Sequence, residues 1–184
     1  MAQKNESDGE LSREMQLAWQ FVEQTGTSVF LTGKAGTGKT TFLRYVKEHT
    51  SKTCVVTAPT GVAAINARGV TLHSFFQLPP TLFVPGATVK SNFRFSRNKL
   101  RIIRALDLLI IDDLGTELMT SFVHSAMYQI VNTRLITGKK TVISTNLSPD
   151  ELGRRYGAPV LSRLQGEYQM LLFFGEDIRR QKRK

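Results

Sequence analysis

The sequence predicts an α/β fold in which a parallel sheet of five strands is covered by helices on both faces. Three observations predict it. Five short apolar or β-branched runs, at 28–32, 53–57, 107–111, 141–144 and 170–174, alternate with stretches of helical spacing. The runs are apolar almost throughout, the pattern of strands buried on both faces. A glycine-rich turn at 33–40 joins the first run to the helix after it. The 184 residues suffice for one domain with a substantial core. Residues 1–10 are expected to be a disordered lead, 11–176 the domain and 177–184 a basic tail.

The elements follow in order. Leu11, Met15, Ala18, Trp19 and Val22 recur on one helical face, so a helix is expected over 11–24 with Met15 and Trp19 in the core. Further helices are expected over 39–49, 62–67, 118–135 and 149–155. Residues 77–99 carry Pro79, Pro80, Pro85 and Gly86 and break the rhythm, which predicts a long loop or insertion. Cys54 lies in the apolar run CVVTAP and is expected to be a buried thiol.

Composition narrows the function classes. Hydrophobic residues make up 41% and charged residues 22%, close to globular averages. No apolar run approaches the ~20 residues of a membrane span, so no membrane partner is expected. The first ten residues are polar and acidic, unlike a secretory signal, and one cysteine excludes an internal disulfide framework. A cytoplasmic protein is expected. The net charge of +10 favours polyanions. From Pro85 to Leu106 there are six basic residues (Lys90, Arg94, Arg97, Lys99, Arg101, Arg104), no acidic one, and Phe93 and Phe95 between them. Arg94 and Arg97 are taken as candidate nucleic-acid contacts. The tail adds Arg179, Arg180, Lys182, Arg183 and Lys184.

Three motifs carry chemistry. Gly33-Lys34-Ala35-Gly36-Thr37-Gly38-Lys39-Thr40 is a full GxxxxGK[ST] match between an apolar strand and a helix, the context of a P-loop. Its glycines let backbone N–H groups curl around phosphates, and the next helix points its positive end at the same anion. Lys39 is expected on the β/γ-phosphates of ATP, Thr40 on Mg2+, and Thr41 beside them. In LDLLIIDDLG, at 106–115, four apolar residues end in two carboxylates where open α/β sheets place ligands. Asp112 is expected to hold Mg2+ and Asp113 to prepare the attacking water. TVISTN, at 141–146, ends in Asn146, placed to sense the γ-phosphate or the water. Arg163 follows as a candidate for stabilising charge on a neighbouring subunit's ATP.

Two resemblances meet in the middle of the chain. Residues 11–105, through EMQLAWQFV, VFLTGKAGTGKTTFLRYVKE, VVTAPTGVAAINA, GVTLHSFFQLP and FRFSRNKLRIIR, resemble the first motor domain of Pif-family superfamily 1 DNA helicases. That resemblance implies that Gln16 reads adenine. It also implies that Pro59, Thr60 and Gly61, and Thr71, His73, Ser74 and Phe75, line a single-stranded DNA path. Residues 106–184, through LDLLIIDDLGTE, YQIVNTRLITGKKTVISTNLSPDEL, RYGAPVLSRL and LLFFGEDIR, resemble the DnaC/IstB-like AAA+ ATPases. There Asn146 corresponds to sensor 1, Arg163 to the arginine finger and Arg179 to sensor 2. Both families share a RecA/AAA+-like P-loop NTPase core, three layers with strand order 5-1-4-3-2.

The expected function is an Mg2+-dependent ATPase engaging single-stranded DNA in replication or repair, of the helicase-loader type. It would partner a replicative helicase or other DNA-processing protein, and self-associate so that Arg163 acts in trans. One alternative is a single motor domain of a Pif-family helicase, from which processive unwinding alone is not expected. The other is a switch that binds ATP and DNA without useful turnover, since Asp113 stands where many such ATPases carry Glu.

Overall fold

A computed structural model describes residues 11–77 and 95–174, apart from the side chains of Ser121 and Phe122. In chain order the elements are α1 (Arg13–Gln24), β1 (Ser28–Thr32), α2 (Lys39–His49), β2 (Cys54–Ala58), α3 (Gly61–Asn66), β3 (Val70–Thr71) and α4 (Leu72–Phe76). Then come α5 (Arg97–Ala105), β4 (Leu108–Leu114), α6 (Ser121–Ile136), β5 (Lys140–Thr145), α7 (Pro149–Tyr156), α8 (Ala158–Glu167) and β6 (Tyr168–Leu172).

The sheet is parallel at every pairing, in the order β3-β2-β4-β5-β1-β6. It has six strands, not the five expected in order 5-1-4-3-2. The added strand, β3, pairs through only two residues at the edge of β2, too short to leave a hydrophobic pattern in the sequence. Alternate residues of the strands feed two cores. Val29, Leu31, Leu108, Ile110 and Val142 pack with Met15, Ala18 and Val22 of α1 and Phe42, Leu43 and Val46 of α2. Phe30, Leu109, Ile111 and Ile143 pack on the opposite face with residues of α4, α5, α6, α7 and α8. This two-sided burial is why the strands read as continuous apolar runs.

Helix starts follow local chemistry. Ser12, Thr60, Thr71, Ser96, Thr120 and Ser148 each accept a backbone N–H at the head of α1, α3, α4, α5, α6 and α7. At α7 the Ser148–Glu151 pair forms a full capping box. Helix α2 begins differently: Gly38, at φ 90°, precedes it and no side chain caps it. Its first N–H groups therefore face the P-loop side of the molecule.

Arg134 of α6 is fully buried and locks the middle of the sheet. Its guanidinium donates to Thr141 Oγ1 at 2.9 Å, to the carbonyls of Ile103 at 2.7 Å, Leu106 at 3.2 Å and Asp107 at 3.3 Å, and to that of Lys140. Burial pushes its pKa down to about 10, so the charge persists at neutral pH. With its donors on neutral oxygens, Arg134 pins the entries of β4 and β5, whose far ends carry the polar motifs.

Other expectations shift. Residues 97–99 belong to α5 rather than to a loop, because Ser96 caps a helix with Ile103 on its buried side; residues 78–94 lie outside the described ones. Helices α4 and α8 were not expected. The last strand begins at Tyr168, two residues early, because Ser28 of β1 pairs from that position. Phe95 is buried against Phe76, with ring centroids 5.6 Å apart, so it serves the core rather than a stacking surface. Cys54 is half-buried, not buried, and burial raises its thiol pKa. Met15 is buried, whereas Trp19 is half-buried and meets Tyr45 edge-on at 5.3 Å.

Candidate nucleotide site

At the C-terminal ends of β1, β4 and β5 a cleft of about 470 Å³ opens, where a parallel open sheet places its ligands. One wall is the loop between β1 and α2. Gly33, Gly36 and Gly38 hold φ angles of 140°, 84° and 90°, the range that favours glycine. Gly33 is doubly constrained, because a Cβ there would stand 2.4 Å from the Phe173 carbonyl oxygen. Phe173 donates its N–H to Thr32 at 2.8 Å, so the exit of β6 braces the loop from behind. Thr37 Oγ1 donates to the Lys34 carbonyl at 3.0 Å, and Lys39 Nζ donates to the carbonyls of Gly33 at 2.7 Å and Lys34 at 2.9 Å. Gly33, Lys34 and Thr37 thus shape the loop, while Ala35, Gly36, Gly38, Lys39, Thr40 and Thr41 line the cleft.

Lys39 is 7% exposed. Burial pushes its pKa down, and the carboxylates of Asp113 and Asp112 oppose that shift. A cation is therefore held between loop carbonyls and an acidic pair, where an incoming polyanion meets it.

The facing wall is the end of β4 with that of β5. Asp112 is 2% exposed and accepts a 2.5 Å hydrogen bond from Ser144 Oγ. The same Ser144 oxygen accepts the Asp113 N–H at 2.9 Å. Asp113 has φ 56°, a left-handed conformation that costs a non-glycine residue roughly 1–2 kcal/mol. The register between β4 and β5 shifts between Ile111 and Leu114, which is what turns Asp113 out of the ladder. Asn146 Nδ2 donates to Asp113 Oδ1 at 2.9 Å, and Thr116 Oγ1 donates to the Asp113 carbonyl at 3.0 Å. Asp112, Asp113, Ser144 and Asn146 all line the cleft opposite the loop.

Thr40 and Asp112 bring a hydroxyl and a carboxylate, hard oxygen donors, to the one cleft. Among the described residues no group of three or more His, Cys, Asp and Glu gathers as a metal cage. The donor set fits Mg2+, which takes one or two protein ligands and completes its shell with water and phosphate oxygens.

Several expected residues lie elsewhere. Gln16 is exposed on α1, its amide donating to the Leu11 carbonyl at 2.9 Å, and it does not line the cleft. Thr60 caps α3, and Gly61 is exposed with open space where a Cβ would stand. Pro59 is buried and shares a small cavity with His73. Phe75 is half-buried, edge-on to Phe76 at 4.9 Å. Arg163 lies away from the cleft: Nε donates to Asn132 Oδ1 at 3.0 Å, Nη1 to the Pro159 carbonyl at 2.9 Å, and the guanidinium stacks 4.9 Å from the Tyr128 ring centre. Arg97 is exposed at the start of α5, while Arg94 and Arg179 lie outside the described residues.

Four cleft residues were not singled out from the sequence: Arg44, Ala63, Asn66 and Ser144. Arg44 Nε donates to the Asn66 carbonyl at 2.5 Å, joining α2 to the end of α3. Ser144 had one legible signal, a hydroxyl inside an apolar strand run, where an unpaired polar group is costly.

Comparison with known proteins places this geometry. The family model for PIF1-like helicase matches residues 11–141, running through both acidic residues of β4. ATP-dependent DNA helicase PIF7 of Trypanosoma brucei brucei is 49% identical over 67 residues, 36% of this chain and 7% of that protein. ATP-dependent DNA helicase Pif1 of Bdellovibrio bacteriovorus is 35% identical over 109 residues, 58% of this chain and 24% of that protein. The chain therefore spans a minor part of the relatives it matches. A Pif1 helicase double mutant from Bacteroides superposes with a TM-score of 0.64 at 28% identity, covering 91% of this chain and 42% of that one. Bacteroides Pif1 in complex with ADP-AlF3 and single-stranded DNA gives 0.59 at 28%, covering 91% and 43%. The DnaC helicase loader gives 0.57 at 19%, covering 87% and 86%, a likeness of fold alone. With 131 consecutive residues, 11 to 141, matched by its model, the chain belongs to the PIF1-like helicase family.

Proposed function

We propose that this chain is an ATP-hydrolysing motor domain of a Pif-type DNA helicase, with single-stranded DNA as its nucleic-acid partner. The observation that carries the reading is the convergence of the glycine loop, Lys39, Asp112 and Asp113 on one cleft, all within residues matched by the helicase family model, with Asn146 joining them from just beyond it. The helicase-loader reading expected from the C-terminal half has less support, since the DnaC likeness extends to fold only.

In this reading the N–H groups at the head of α2 and the side chain of Lys39 bind the ATP phosphates. Thr40 and Asp112 would hold Mg2+, which would supply charge neutralisation on the phosphates. Asp113 orients the attacking water and accepts its proton, and Asn146 fixes the Asp113 carboxylate for that task. Thr60, Gly61, His73 and Phe75, with Arg97 on α5, lie along the DNA. Helix α5 supports this path, because Arg97, Arg101 and Arg104 recur at i, i+4 and i+7 and are all exposed. No ion pair between described residues involves them.

A second reading, a self-associating loader-type ATPase with Arg163 acting in trans, rests on the resemblance of residues 106–184 to the DnaC/IstB-like ATPases. The steady-state ATPase rate separates the two, measured with and without single-stranded DNA across protein concentrations. A DNA-stimulated, concentration-independent specific activity supports the motor domain. Activity rising with protein concentration supports the loader. Nucleotide binding without turnover under either condition leaves the non-catalytic switch.

A further inference from the structure

Just beyond the acidic pair, Glu117 is buried at 4% exposure. A carboxylate in that position is unfavourable unless its oxygens are matched. Its Oε2 accepts the Gly115 N–H at 3.0 Å, and its Oε1 accepts the Tyr156 hydroxyl, with Arg155 Nε 3.7 Å away. Arg155 also donates to the Glu117 backbone carbonyl. Burial first, and then the Glu117 carboxylate, push the Tyr156 hydroxyl far above its ordinary pKa, so it stays a donor at any working pH.

The partners of Glu117 belong to two separate segments. Gly115, at φ 107°, closes the turn that carries Asp113, and a Cβ on it would meet the Leu147 side chain at 2.4 Å. Tyr156 and Arg155 end α7, which follows Asn146 by a short turn. On its remaining side Glu117 borders a void of about 10 Å³ shared with Pro59, Leu72 and His73. Pro59 leads into α3, whose Ala63 and Asn66 line the nucleotide cleft. One buried carboxylate thus touches the turn of the proposed water-orienting residue and borders the segments proposed to follow DNA.

We propose that Glu117 is a positioning residue that couples the two ligands, transmitting between the segments of Pro59 and His73 and the Asp113 turn. The inference rests on the motor-domain reading. Coupling is reciprocal in binding, so it is measurable without turnover. The ratio of single-stranded DNA dissociation constants without and with Mg2+ and a non-hydrolysable ATP analogue gives the coupling factor. It is to be measured in the whole chain for wild type, Glu117→Gln and Tyr156→Phe. Glutamine keeps the shape and removes the charge. Tyr156→Phe deletes a single hydroxyl, and serves if loss of the buried charge unfolds the first variant.

The expected result is a wild-type factor of roughly 5–150 that falls towards one in the variants. Analogue affinity without DNA should stay within about twofold, since no binding group of the cleft is altered. Three outcomes overturn the proposal: a factor unchanged in the folded variants, no coupling in the wild type, or equal weakening of both ligands together with a lowered unfolding temperature. A wild type that shows this coupling but hydrolyses no ATP, with or without DNA, refutes the motor reading and leaves Glu117 in its role.

Discussion

The two walls of the cleft are built by different means. The loop wall is set by backbone: three glycines at positive φ, a strand end packed behind Gly33, and a helix start left free of any side-chain cap. The acidic wall is set by side chains: Ser144 bridging Asp112 and Asp113, Asn146 on the Asp113 carboxylate, Thr116 on its carbonyl and Glu117 on the turn after it. A backbone wall tolerates exchange of neighbouring side chains and fails when a glycine or Lys39 changes. A side-chain wall fails piecemeal, through residues that touch no ligand. The first suits binding, which needs fixed donors, and the second suits turnover, which needs a carboxylate held at one angle.

The largest effect should come from the loop wall. Lys39→Ala is expected to lower ATP turnover by at least about 10³-fold, the scale of losing a transition-state donor, and to weaken nucleotide binding with it. Full activity in that variant would end the assignment of this cleft. On the acidic wall, Ser144→Ala removes the 2.5 Å donor to the buried Asp112 and the hydroxyl that accepts the Asp113 N–H. It should cut turnover roughly 10–100-fold and raise the Mg2+ concentration for half-maximal rate, with Ser144→Thr recovering part of the loss.

Smaller effects lie outside the cleft. Replacing Arg101 and Arg104 by Ala should leave ATP turnover without DNA unchanged. The slope of log affinity against log salt for single-stranded DNA should flatten by about 1.4, at ~0.7 per phosphate contact. An unchanged slope would return that face of α5 to solvent. The smallest concerns acid stability. Glu23 accepts hydrogen bonds from Thr50 at 2.8 Å, Ser51 at 2.6 Å and Lys52 at 3.0 Å, tying α1 to the entry of β2. Burial acts against ionisation, but these donors outweigh it and hold the pKa at about 2, below its ordinary 4.5. A depressed folded pKa stabilises the fold above pH 4.5, and that contribution drains away as pH falls towards 2. Denaturant unfolding of wild type and Glu23→Gln should therefore differ at pH 6 and converge near pH 2.

The same contrast explains what was legible in the sequence. The loop wall is local, eight consecutive residues between a strand and a helix, and its placement follows from residue types alone. The acidic wall joins residues 31 positions apart, from Asp113 to Ser144, and the left-handed turn at Asp113 depends on a register shift between two strands. No single segment encodes that. Helix α5 was hidden for another reason: five of the nine residues of RNKLRIIRA are polar or charged, and its one buried residue, Ile103, is covered by a core built from distant segments. Phe95 is the opposite case: it stands among basic residues in the sequence, and the core takes up its ring.

Asp113→Asn tests the division between the walls most directly, because it keeps the size of the side chain and removes only the charge. ATP affinity and ATP turnover should be measured on the same preparation, with Mg2+ and single-stranded DNA present. Affinity within about threefold of wild type and turnover lower by about 10²-fold or more is the predicted result, since binding rests on the loop and a general base contributes on that scale. Affinity and turnover falling in proportion would contradict it, and would mean that the acidic wall holds the nucleotide rather than turning it over.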